Sequence, residues 1–453
     1  MLRLHLGMSN KARRLLVLLL IILEEAGPTK AQDCSSSCSS RCICSSRGLS
    51  SVPQDLPTSI TRLNLEDNVI TNLSQSDFLR YRSLTGLDLG SNQISMIQNK
   101  TFLNLTNLTK LYLIDNQLNT LPADIFAGLG NLQNLNLYMN QLTRLPTGIF
   151  AGLGNLRRLN LHFNQLTNLT ADTFAGLHNL RNLGLNSNQL TSLPDDIFAG
   201  LNDLQQLWLH QNKLSNLPAD IFEGLGHLKT LWLNSNELAA LPADIFVGLG
   251  NLESLDLSSN QLTTISAGIF AGLSNLQILD LHSNQLRTLR PDIFVGLSNL
   301  QVLSLSRNQL TTLPADAFVG LGNLGELYLS GNHFETMPPM AYDILASILH
   351  VRIDNNPWQC DCRMLPFRQR MKGAYLYEAK ILCAGPGNLT GQSLRNVNPD
   401  DLNCNDTVST DSPFVTQPTD TESNAGPAGS GITILATLCV FIGLFINPIL
   451  PWQ

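Results

Sequence analysis

The sequence predicts an α/β solenoid, a chain wound rung upon rung around a parallel sheet, and three observations carry that reading. The first is a period. Asn68, Asn92, Asn116, Asn140, Asn164, Asn188, Asn212, Asn236, Asn260, Asn284, Asn308, Asn332 and Asn356 follow one another at a spacing of 24 residues, without insertion or deletion. The second is the pattern around each, L-x-x-L-x-L-x-x-N-x-L, as in Leu204, Leu207, Leu209, Asn212 and Leu214. The third is the placing of cysteine. Of 9 cysteines in 453 residues, none lies between residues 60 and 355, and groups stand on either side of that span.

A period and pattern of this kind mark leucine-rich repeats, which stack into a horseshoe with a concave parallel β-sheet. In each rung the L-x-L alternation makes a short strand, leucines to one side and variable residues to the other. The asparagine follows the strand where the chain turns inward. A buried amide without partners costs roughly 2 kcal/mol or more, so it must bond backbone groups of its own and the neighbouring turn. Ten residues on stands Phe78, Phe102 and their successors to Phe318, then Tyr342, an aromatic column under the convex side. Gly128, Gly152 and the glycines that follow to Gly320 occupy a turn where a Cβ is expected to be unwelcome.

Taken in order, the chain opens with Lys11, Arg13 and Arg14 before the apolar run Leu15 to Leu23, too short to span a bilayer. Residues 1–31 therefore read as a secretory signal, which places the mature chain where disulfides form. Residues 32–59 hold Cys34, Cys38, Cys42 and Cys44, an amino-terminal cap. Residues 60–355 are twelve full rungs, the thirteenth merging into a second cap, 356–404, with Cys360, Cys362, Cys383 and Cys404. An open solenoid exposes its core at both ends, so each end needs a lid and a small lid needs staples. Zinc is a poor alternative for C-x3-C-x3-C-x-C in an oxidising compartment, and no metal or cofactor is expected.

Residues 405–425 are rich in Ser, Thr, Pro and Asp and read as a stalk. From 426 to 453 the chain becomes a terminal apolar tail without Lys or Arg, preceded by small residues. That fits a glycosylphosphatidylinositol signal, removed on attachment at Ser423 or Asn424, better than a single-pass helix. Removal would take Cys439 with it and leave eight cysteines.

The run Asn356-Pro-Trp-Gln-Cys-Asp-Cys362, with Cys383 and Cys404, resembles the carboxy-terminal cap of extracellular leucine-rich repeat proteins, and Arg47 to Pro57 after the first cysteines resembles the matching amino-terminal cap. The resemblance implies the pairs Cys34–Cys42, Cys38–Cys44, Cys360–Cys383 and Cys362–Cys404, although the amino-terminal spacing departs from the family's.

Strand positions six, four, two and one residues before each asparagine face outward. They run from Arg62, Asn64 and Glu66 through Tyr112, Tyr138, Arg158, His162, Phe163, Trp208, His210 and Trp232 to Ser254, Asp256, Asp280, Ser304 and Ser306. Aromatics with Arg and His on a polar face are the stuff of binding hot spots, so the middle group is the candidate ligand site. The sequons Asn72, Asn99, Asn104, Asn107, Asn168, Asn388 and Asn405 all avoid those positions, which would leave the face bare of carbohydrate. A net charge of −7 without a basic stripe excludes nucleic acid, and no hydrolase, zincin or phosphate-loop motif is present, so the chain is not read as an enzyme.

The whole resembles the variable lymphocyte receptors and the ectodomains of Toll-like receptors. That resemblance implies an anchored cell-surface receptor for microbial protein or glycan, in immunity. The alternative is an adhesion or guidance protein with a self partner, like the Nogo receptors, or a scaffold subunit. A homodimer is a further arrangement open to such a solenoid.

Overall fold

A computed structural model describes Cys34 and residues 38–339, 341–371 and 376–404. The signal segment, stalk and tail, and with them Asn405, Ser423, Asn424 and Cys439, lie outside the described residues, as does the side chain of Tyr342. Fourteen strands form one parallel sheet in chain order. Its first strand, Arg41–Ile43, belongs to the amino-terminal cap, and its last is His350–Arg352. Between them each rung supplies three residues, such as Gln206–Trp208 and Thr230–Trp232, paired without register shift.

The asparagines hold this register. The amide of Asn212 donates to the carbonyls of Leu209 (3.1 Å) and His210 (3.4 Å) in its own turn and of Leu185 (3.0 Å) in the preceding rung. Its Oδ1 accepts from Leu190 N at 3.1 Å, again in the preceding rung. The same set recurs from Asn92 to Asn308, so the buried amides are satisfied as required, within and between turns. Leu207, Leu209 and their equivalents are fully buried beneath the strands.

The helical share of the α/β fold is small. Opposite the sheet the chain returns through isolated turns, with Ile221 N bonded to Pro218 O, Glu223 N to Asp220 O and Leu225 N to Phe222 O. A longer helix is cut off because Gly224 and its equivalents from Gly128 to Gly320 adopt φ between +81° and +92°. At most of these positions the glycine is needed for the left-handed backbone and not for space: a Cβ at Gly152, Gly248 or Gly320 would meet nothing within 4 Å, whereas at Gly128 it would sit 3.1 Å from Leu103 O. The phenylalanines stack below, with Phe150, Phe174, Phe198, Phe222 and Phe246 successively 6.2 to 6.4 Å apart and nearly parallel. Two α-helices, Ala341–Ser347 and Leu365–Met371, lie at the carboxy-terminal end.

Both ends are stapled. At the carboxy-terminal end the bonds are Cys360–Cys383 and Cys362–Cys404, as the family resemblance implies. Trp358 is wholly buried there, its Nε1 donating to Ile353 O at 3.0 Å and its ring stacked on Phe334. At the amino-terminal end the implied pairs Cys34–Cys42 and Cys38–Cys44 are corrected: the bonds are Cys34–Cys44 and Cys38–Cys42. The reason is the cap strand. Cys42 lies opposite Leu63 in the sheet, and Cys44 is buried two residues further on, as Leu65 is after Leu63. The bend at Ser39 and Ser40 folds Cys38 back to within 4.5 Å of Cys42, Cα to Cα, so the pairs nest instead of interleaving.

Candidate functional site

The outward columns place the candidate residues on one face of the sheet. Trp208 and Trp232 stand in register on adjacent strands, their rings 6.0 Å apart and tilted by 32°. His210 meets Trp232 edge-on at 5.5 Å. Three rungs earlier, Tyr138 stacks on His162 at 4.3 Å, and Phe163 meets both, at 5.5 and 5.9 Å. Tyr112 and Arg158 lie on the strands Lys110–Tyr112 and Arg158–Asn160, which flank Asn134–Asn136 on either side. Among the described residues Tyr112 makes no ring contact. Burial beside Asp88 raises its hydroxyl above the ordinary tyrosine range.

What joins the two clusters is a residue that outward chemistry alone does not single out. Gly184 is the one glycine in the column four residues before the asparagine in the rungs from Tyr112 to Tyr328. It is buried under its neighbours: a Cβ there would sit 3.0 Å from His162 Nδ1 and 3.4 Å from Trp208 Cε3. The empty position lets His162 and Trp208 lean in from the strands on either side. The two clusters are thereby brought to the same small space over Gly184, and a glycine in an otherwise side-chain-bearing column was the signal for it.

That closeness has a cost. His162 Nδ1, Trp208 Nε1 and His210 Nδ1 are shut off from solvent and make no hydrogen bond among the described residues. Each such atom costs about 1–3 kcal/mol. Burial also pushes both imidazoles down to about 4, with His210 adding repulsion at His162, so the run is uncharged at neutral pH.

A second local cost is in the backbone. The residue before every ladder asparagine from Asn68 to Asn356 has positive φ. In most rungs it is Ser, Asp or Gln, but Met139 (φ 55°) and Phe163 (φ 53°) occupy it beside the aromatic run. Their side chains are 42% and 50% exposed. A bulky residue is disfavoured in that conformation, and no burial offsets it.

Other surfaces are less built. A shallow polar groove along the strand-start edge, lined by Thr85, Asn107, Thr109, Asn131 and Gln133 among others, uses its Asn131 amide on Thr106 O. Of the sequons, Asn72, Asn99, Asn107, Asn168 and Asn388 are exposed and Asn104 is half-buried, none of them on the sheet face.

The fold and its face define the class of protein. The chain belongs to the leucine-rich repeat family: its repeat pattern matches over residues 82–142, 130–190, 178–238, 226–286 and 274–334, more than half of the chain. It is similar to human leucine-rich repeat-containing protein 70, with 35% identity over 54 residues, 12% of this chain and 8% of that one. Among solved structures it is similar to a leucine-rich repeat protein of Leptospira interrogans (29% identity, TM-score 0.62, 77% of this chain and 90% of that one). It is similar also to the Drosophila Toll–Spatzle complex (25% identity, TM-score 0.65, 79% of this chain and 54% of that one). Its disulfide-bonded ends belong to an oxidising, extracellular setting. No helix among the described residues is long and apolar enough to cross a membrane.

Two outcomes are expected. Phe163→Asn relieves a bulky left-handed residue without opening a cavity. It should leave the melting temperature unchanged or raise it, by up to about 1 kcal/mol in stability. A drop in melting temperature would show Phe163 to be structural.

The second concerns pH. Because His162 and His210 titrate lower in the folded chain than in the unfolded one, the unfolded state binds more protons between about 4 and the ordinary histidine range. Their contribution to stability is therefore full above that range and lost as pH falls through it. Asp256 and His282, both raised, act in the opposite sense. The informative quantity is thus a difference: thermal melts from pH 7 to pH 4.5 should show a smaller acid loss in H162Q/H210Q than in the unsubstituted chain. Parallel curves would refute the desolvation argument.

Proposed function

We propose that this chain is a cell-surface recognition receptor of the variable-lymphocyte-receptor kind, binding a microbial protein or glycan on the sheet face between the rungs of Asn140 and Asn236. The observation that carries this is the gathering of disfavoured features in one place. Exposed Phe163 and Met139 sit in left-handed backbone, and three buried ring nitrogens lack partners beside them. The inward columns, by contrast, are nearly uniform leucine, phenylalanine and asparagine. Arg307 takes the same left-handed position, and Arg368 Nε is also buried without a hydrogen-bond partner. Among the described residues, only on this stretch of the face do the two kinds of cost coincide, as they do where a ligand site is left in the free protein. The similarity to Toll, whose solved structure is a complex with Spatzle, supports a protein as the ligand class.

Replacing both Trp208 and Trp232 by alanine should hardly change melting, since both are only half-buried. Binding to microbial surfaces or host-cell proteins, whichever a screen of the protein identifies, should weaken by about 2 kcal/mol or more per residue. S304A/S306A should be nearly silent. A folded tryptophan variant that binds normally sinks the reading. Binding confined to a host-cell protein favours an adhesion or guidance role in its place.

We propose also that residues 426–453 direct attachment of a lipid anchor at Ser423 or Asn424. Phosphatidylinositol-specific phospholipase should then release the protein from expressing cells, whereas retention with Trp452 intact by mass spectrometry would refute it.

A further inference from the structure

The aromatic run does not end in neutral surface. On the next two strands the column that holds Trp208 and Trp232 continues as Asp256 and Asp280, paired in register with Trp232 and with each other. Strand spacing sets these side chains about 5 Å apart. Two carboxylates directly across from one another on neighbouring strands are destabilising, and here they stand at the rim of a hydrophobic patch where water is partly excluded.

Little inside the molecule offsets them. Asp280 Oδ1 accepts from the backbone N of His282 at 2.9 Å and its Nδ1 at 2.8 Å, and Asp256 Oδ1 accepts from Ser258 N at 2.9 Å. The charged groups that act on Asp256 are Asp280, which repels, and His282. No lysine or arginine is among them, and Arg307, one rung beyond, acts on His282. Lys229 is held at 2.8 Å by Glu253.

Building on the sheet-face reading above, we propose that the junction of Trp232 with Asp256 and Asp280 receives an arginine side chain of a protein partner. The guanidinium would stack on the Trp232 ring while its N–H groups reach the two carboxylates. The geometry favours this occupant on three counts. A planar cation over an indole face within about 6 Å is attracted by the ring quadrupole. A guanidinium presents several donors in a plane, so it can serve two carboxylates a strand apart where an ammonium serves them as a point charge. It also removes the like-charge repulsion that the free face carries. A net charge of −7 for the whole chain adds long-range attraction for a basic surface.

The test is selection of a random-peptide phage library on the purified full-length chain, with D256N/D280N and W208A/W232A as parallel targets and thermal melts to verify folding. Peptides selected on the unsubstituted chain should carry an arginine. Replacing that arginine by citrulline, which keeps shape and removes charge, should weaken binding roughly tenfold on the unsubstituted chain. On D256N/D280N the two peptides should bind alike. If D256N/D280N does not fold, the citrulline comparison alone decides. Peptides that require the tryptophans but tolerate citrulline overturn the arginine assignment and leave the sheet-face reading standing. Lysine selected with the same dependence on Asp256 and Asp280 also overturns it, in favour of a simple ammonium. Peptides indifferent to both substituted pairs, or none above the W208A/W232A background, overturn both readings.

Discussion

The structure depends on the amide of one asparagine per rung. Each does what no leucine could, giving its hydrogens to carbonyls of two successive turns and its oxygen to an N–H of the preceding one. These are backbone groups that the tight turn after the strand leaves without strand partners. Because the groups belong to adjacent rungs, the amide fixes their relative height as well as satisfying them. An inserted residue would move the donors away from the acceptors at two levels at once. That is a physical reason for a period of 24 residues kept from Asn68 to Asn356. The columns of side chains on the open face are a consequence, since only rungs in strict register bring Trp208 opposite Trp232.

The division of labour follows. Leucines, ladder asparagines and stacked phenylalanines carry folding, and the face is left to vary. In a solenoid each rung touches only its neighbours, so a cost at one rung stays there. Met139 and Phe163 in left-handed backbone, and unpartnered nitrogens on His162, Trp208 and His210, are local debts of this kind. The rungs around them, bound by complete ladders and buried leucines, need not adjust.

Much of this was legible in the sequence because the period itself sets the register. Knowing that Asn212 ends its strand places Trp208 four residues back and outward, and the same count places Trp232 beside it. The carboxy-terminal pairs came from another source, the resemblance of the run around Trp358 to the family's cap, and the bonds agree with it. What escaped lies where the period gives no help. The cap strand is offset from the first rung by 21 residues, Cys42 opposite Leu63, and its cysteine spacing departs from the family's, so the pairing carried over from the resemblance fails and the bend at Ser39 and Ser40 decides it. Gly184 escaped for another reason: a residue without a side chain matters through what its neighbours do in the space it leaves. Positive φ before every asparagine is invisible at Ser or Asp, and shows only where a bulky residue such as Phe163 makes it costly.

The face can be understood as an ordered series of environments along one column. From Gly184, buried under its neighbours, it passes to the indoles of Trp208 and Trp232 and then to the carboxylates of Asp256 and Asp280. Each step changes the local dielectric for the next. The indoles exclude water from one side of Asp256, and its carboxyl is raised by that burial and by Asp280. His282, held at 2.8 Å from Asp280, is raised above the ordinary histidine range, chiefly by that hydrogen bond. It therefore offsets part of the negative charge only as it becomes protonated. Being raised, it keeps that proton to higher pH than an ordinary imidazole, and the attraction for an external cation grows as the proton is lost. The same column thus sets where apolar contact is strongest and, one strand further, where charge is least compensated, and a partner must match both at a spacing the asparagine ladder has already fixed.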